Sequence, residues 1–161
     1  MVHKRKEEVV VIKFKGMLNE VQVRYRPTNI NRFKISSSAD VDSQIRSLWP
    51  VDVEHREAMV SVYLNQAHNI VGYSVISIGS ISGTLCDVKV VFQHGLLCNA
   101  SALILIHNHP SGSLKPSVED LNLTKKIREA SLIMDMRMLD HLIITREGYC
   151  SLADEGLIEC L

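Results

Sequence analysis

The sequence predicts an α/β fold of the mixed α+β kind, a mixed β-sheet flanked by helices. Three observations carry that prediction. Apolar runs of strand length alternate loosely with segments of helical periodicity along the chain. One run, ALILI at 102–106, is continuously apolar, as a central strand covered on both faces must be. The 161 residues, 46% hydrophobic and 22% charged, suit one compact domain with a short extension.

Taken in order, VVVIKFK (9–15) and VQVRYR (21–26) read as two strands joined by a turn around 16–19. Residues 1–37 are therefore expected to form an N-terminal β-hairpin extension and 38–161 the main domain. A helix is expected from Ser38 or Asp40, either of which can cap it, to about Trp49, with Val41, Ile45 and Leu48 on its apolar face and Pro50 as its stop. Residues 59–64 and 71–78 read as neighbouring strands linked by the polar 65–69, and 79–83 as a loop. A helix over 87–99 shows Val90, Val91, Leu96 and Leu97 at helical spacing. After the central strand, a helix over about 117–133 presents Val118, Leu121, Ile127 and Leu132, and strands follow at 139–145 and 148–152.

Bulk properties narrow the function classes. Eighteen basic residues balance eighteen acidic ones, so no general field draws the chain to nucleic acid or to an anionic membrane. Cys86, Cys98, Cys150 and Cys160 contain no CxxC pair and read as reduced core thiols rather than a disulfide framework or a zinc ribbon. No apolar run reaches spanning length and the N-terminus lacks a signal-peptide core, so a soluble cytoplasmic protein is expected.

Chemistry concentrates at the end of the central strand. Residues two apart on a strand project to one face, so His107 and His109 can aim both imidazoles at one point. Pro110 ends the strand, Ser111 and Gly112 turn the chain, and Pro116 and Ser117 start a helix with Asp120 in its first turn. Two neutral imidazoles and a carboxylate, with a fourth position open to water, form the ligand set of catalytic zinc. Manganese, iron or nickel also suit such a site. Each piece has an ordinary use too: an HxH can be structural, and S-x-x-D is a capping box. Their order, strand, turn, then helix, is what joins them into a metal site.

The stretch HNHPSGSLKPSVED (107–120) resembles the JAMM motif, H-x-H-x(10)-D, of the JAB/MPN metalloproteases, and its wording resembles the RadC-like branch. REAMVSVYLN (56–65), LLCNA (96–100) and MLDHLIIT (138–145) agree, so the resemblance covers about 42–158. It implies a JAB/MPN-like (cytidine-deaminase-like) fold and a metal-dependent hydrolase of peptide or isopeptide bonds. His107, His109 and Asp120 match the metal ligands and Ser117 the serine that assists at the oxyanion. Glu57 is the candidate general base, with Glu54 three residues earlier as its rival. His141 matches the family's DH pair and is a candidate to orient a ligand, against a plain half-buried histidine. Ser111 reads as a turn residue, and Ser80 and Ser82 as loop residues with an option on substrate backbone.

RadC-like proteins commonly carry a helix-hairpin-helix-like region ahead of the metal domain, whereas the first fifty residues here read as a β-hairpin and one helix. Lys4, Arg5, Lys6, Lys13, Lys15, Arg24 and Arg26, with Phe14 and Tyr25, leave a weak nucleic-acid surface as an option on the N-terminal hairpin. The rivals to a peptidase are thus a DNA-repair-associated accessory protein with a structural or vestigial metal site, and a metal-dependent nuclease.

Overall fold

The computed structural model describes residues 33–79 and 86–158. The expected N-terminal hairpin with its basic cluster, Ser80, Ser82 and Cys160 lie outside the described residues. Helix α1 (Ser38–Arg46) starts one residue earlier than a Ser38 cap and three earlier than an Asp40 cap would allow. Ser37 is the N-cap, its side chain accepting from the Asp40 N–H while the Asp40 carboxylate accepts from the Ser37 N–H at 3.0 Å. The helix closes at Ser47, before Pro50 can act, and Leu48 lies beyond it, exposed.

Strands β1 (Ala58–Leu64) and β2 (Ile70–Ile78) form an antiparallel pair. After α2 (Val88–Leu97), β3 (Ala102–Asn108) pairs antiparallel with β1. Helix α3 (Val118–Ile133) then carries the chain to β4 (Arg137–Ile144), parallel to β3, and β5 (Tyr149–Ser151) closes that edge antiparallel. The strand order is β2-β1-β3-β4-β5. Every residue of β1 and β3 is buried, including the polar Ser61, His107 and Asn108 set among their apolar residues.

Alternation along the strands divides the core. Met59, Tyr63, Leu103, Leu105 and Ile143 meet Val91 and Phe92 of α2 and Ile127 of α3 on one side of the sheet. Val60, Val62, Ile104, Ile106 and Leu142 meet Val41 and Ile45 of α1 on the other, where Ile35 also packs. No helix among the described residues is long and apolar enough to cross a membrane.

The two later helices bury faces other than those their leucines predict. In α2 the buried residues are Val91, Phe92 and Gly95, with Leu96 51% exposed. In α3 they are Asp120, Thr124, Ile127 and Ser131, while Val118 is 68% and Leu132 50% exposed. The buried stripe of α3 has the helical spacing expected of a core face but is mostly polar: Asp120 and Thr124 bond to His107 and His141 of the sheet, and Ser131 to the Arg128 carbonyl of its own helix.

Candidate metal centre

His107 is the penultimate residue of β3 and wholly buried on the α3 side. His109 follows the strand, its N–H held by the Ile144 carbonyl at 3.0 Å, which extends the parallel ladder one step. Its side chain therefore returns to the face of His107. The chain turns at once: Gly112 donates to the His109 carbonyl at 3.0 Å and takes φ 78°, a left-handed value that suits glycine. Ser111 accepts from the Ser113 N–H at 3.4 Å, in keeping with its turn reading.

Ser117 caps α3 in a full capping box. Its hydroxyl accepts from the Asp120 N–H at 3.1 Å, and Asp120 Oδ2 accepts from the Ser117 N–H at 2.7 Å and hydroxyl at 2.6 Å. The box and the metal-site geometry are not alternatives. While Oδ2 serves the cap, Asp120 Oδ1 sits 3.0 Å from His107 Nε2, and Oδ2 is 3.5 Å from His109 Nε2. The two Nε2 atoms are themselves 2.9 Å apart. An ion held tetrahedrally at zinc–ligand distances needs donor atoms roughly 3.3 Å apart, which these separations bracket.

Proton bookkeeping shows what such a cluster needs. Thr124 donates its hydroxyl hydrogen to the Asp120 carbonyl at 2.7 Å, so at 2.6 Å from His141 Nδ1 it can only accept. His141 therefore carries its proton on Nδ1 and offers a lone pair at Nε2. Burial, reinforced by the neighbouring His107, keeps its pKa well below 6.5 and the ring neutral. That lone pair, 2.9 Å from His107 Nδ1, takes the His107 proton. His109 Nδ1 faces the Ser113 carbonyl at 2.7 Å and must also be protonated. With both rings neutral, the two Nε2 lone pairs are turned on one point together with a carboxylate, an arrangement that either a metal ion or a proton held at one Nε2 reconciles. Burial opposes ionisation of Asp120, but the imidazoles and the Ser117 hydroxyl hold its carboxyl far below the usual range. Asp120 in turn raises the pKa of His109.

Glu57 immediately precedes β1. Met59 pairs with His107, and extending that register places Glu57 opposite His109 on the same face of the sheet. A carboxylate oxygen of Glu57 and ring nitrogens of His107 and His109 lie within 4.8 Å of one another, a group able to hold a metal ion. This triad and the cluster with Asp120 share both histidines. Burial raises the Glu57 pKa, though both imidazoles pull it down. Glu54 is elsewhere, exposed and paired with Arg146 at 3.0 Å.

The structure thus brings together Glu57, His107, His109, Ser117 and Asp120, and adds His141 and Thr124 behind them. His141 proves to be more than a half-buried histidine. Thr124 was not singled out; its signal is a position four residues after Asp120 on the same helical face. Beside His141, Asp140 faces the opposite way. Its Oδ1 accepts from Ala153 N at 3.0 Å and its Oδ2 from the Ser151 hydroxyl at 2.5 Å, fixing the end of β5.

The family model for the RadC-like JAB domain matches residues 35–157. A Flavobacterium johnsoniae protein is 40% identical over 158 residues, covering 91% of this chain and 68% of its own length. One from Syntrophomonas wolfei is 37% identical over 126 residues, 77% of this chain and 54% of its own. One from Methanococcoides burtonii is 40% identical over 126 residues, 78% and 54%. All three are named UPF0758 protein, which states no activity. The chain spans between half and about two thirds of the length of these relatives.

Proposed function

The chain belongs to the RadC-like JAB domain family, and from that membership we propose that it is a metal-dependent hydrolase of amide bonds, in peptides or isopeptides, with zinc as its ion. The observation that carries this reading is the convergence of two Nε2 atoms and a carboxylate within 3.5 Å, with Glu57 beside them. His107, His109 and Asp120 would hold the ion. Nitrogen-rich donor sets of this kind suit zinc over magnesium or calcium, which prefer all-oxygen shells.

When bound, the ion supplies Lewis acidity, bringing the pKa of water toward about 7 and drawing charge from a carbonyl oxygen. Glu57 takes a proton from the attacking water and later delivers it to the leaving nitrogen. Its raised pKa suits that double role, since a shuttle works best when its pKa approaches the operating pH. Ser117 orients the Asp120 carboxylate with the hydroxyl hydrogen it donates at 2.6 Å; assisting at an oxyanion requires that hydrogen to turn toward the carbonyl. Thr124 and His141 hold the His107 ring in the orientation in which its Nε2 would bind the ion.

The test measures metal content and peptide-library hydrolysis for the wild type, His109→Ala and Glu57→Gln. Loss of metal in the first variant, and retained metal with lost hydrolysis in the second, support the reading. Equal metal in wild type and His109→Ala sinks the site, and salt-sensitive DNA binding without hydrolysis replaces the enzyme by an accessory protein.

A further inference from the structure

Asn108 stands between the two histidines of the motif, and on a strand it must face the other way. It is wholly buried on the α1 side of the sheet. Its amide is spent on one short stretch of chain. Oδ1 accepts from the Ala58 N–H at 2.8 Å, and Nδ2 donates to the Val53 carbonyl at 2.7 Å and the Arg56 carbonyl at 2.9 Å. These bonds bracket Glu57. The ladder between β1 and β3 has its last rung at Met59 and His107, so the residues before β1 receive no strand pairing from β3. Apart from Asn108, the Glu57 backbone is tied by its own carbonyl accepting from Gly79 N at 2.8 Å.

We infer that Asn108 is a positioning residue, setting the distance of the Glu57 carboxylate from the histidine pair. The tripeptide that supplies both imidazoles carries on its reverse side the clamp for the residue facing them. One acceptor and two donors on a short planar group match the three partners: aspartate lacks the donors, leucine lacks everything, and serine offers one donor at shorter reach. The catalytic consequence rests on reading Glu57 as the base; the positional claim does not.

The experiment compares wild type with Asn108→Ala and the milder Asn108→Ser, each loaded with Co2+. Visible absorption reports the ligand set, and paramagnetic relaxation of the Glu57 side-chain carbon reports its distance from the ion. Folded variants are expected to keep the wild-type cobalt spectrum while Glu57 relaxation falls and the Ala58 amide exchanges about tenfold faster or more. Where the wild type hydrolyses peptides, kcat falls about 100-fold at unchanged KM. Adding the change to Glu57→Gln causes no further loss, which a general loosening of the fold would not reproduce. Wild-type values of Glu57 relaxation and Ala58 exchange in either folded variant overturn the inference. So does a wild-type Asn108 side-chain amide that exchanges as fast as free asparagine, a measurement needing no variant. A displaced Glu57 in a protein whose wild type never hydrolyses leaves the positioning intact and removes the hydrolase.

Discussion

Each proton in the chain from Asp120 through Thr124 and His141 to His107 has one place to be, so these two imidazole tautomers follow from the Asp120 carbonyl, and that of His109 from the Ser113 carbonyl. Removing a link frees the His107 ring. Thr124→Val or His141→Phe is expected to weaken metal binding 10- to 100-fold by chelator competition without removing a ligand. Acid has a separate effect. Because the pKa of His109 is raised above 6.5, protons compete with the ion, and occupancy should fall as pH drops through that raised value. In the metal-free protein the sign reverses. The protonated ring beside Asp120 contributes stability fully below about pH 6.5 and loses it as pH rises through the folded value, so His109→Gln should cost more at low pH than at high pH in urea titrations. At this scale the H-x-H and the aspartate were legible because strand alternation and a helix start fix them. Thr124 and Asn108 were not, since neither has a meaning until the strands on either side of β3 are known.

At the scale of elements, strands were easier to read than helix faces. The apolar runs of β1 and β3 leave no alternative to burial, and their ends fall within about two residues of expectation. For α3 a rule that assigns leucine and valine to the core points outward, because the helix spends its inner stripe on Asp120 and Thr124. Mutational cost should follow the observed face. Ile127→Ala is expected to cost about 2–5 kcal/mol in chemical denaturation and the half-exposed Leu132→Ala roughly 0.5 kcal/mol or less. Gly95 of α2 is a second case. A Cβ there would lie 2.6 Å from Met136 Sδ and 3.2 Å from the Tyr63 ring. The buried Met136 has little room to retreat, so overpacking of about 1–3 kcal/mol outweighs the roughly 1 kcal/mol of helix propensity that alanine returns. Gly95→Ala should lower the melting temperature, and the same change made in a Met136→Ala background should be less harmful than in the wild type.

At the scale of the molecule, the order β2-β1-β3-β4-β5 is what joins the proposed base, Glu57, to the proposed ligands, by seating β1 beside β3. A sequence lists its strands but not their neighbours, which is why Glu57 rested on resemblance while the ligands had geometry of their own. An ion bound by the folded state alone must stabilise it. Zinc at about a hundred times its dissociation constant should add about 2.7 kcal/mol, raising the melting temperature by roughly 5–10 °C, with no rise in His107→Ala and full reversal by chelator. The cage itself is local: its ligands come from one strand end and the first turn of the next helix, whereas the Asn108 clamp on the approach to β1 spans 50 residues. Ion loading therefore gauges the health of a single strand–helix unit, and turnover gauges the closure of the whole sheet. Damage confined to the approach to β1 would pass a metal assay unnoticed and be fatal to the proposed hydrolysis.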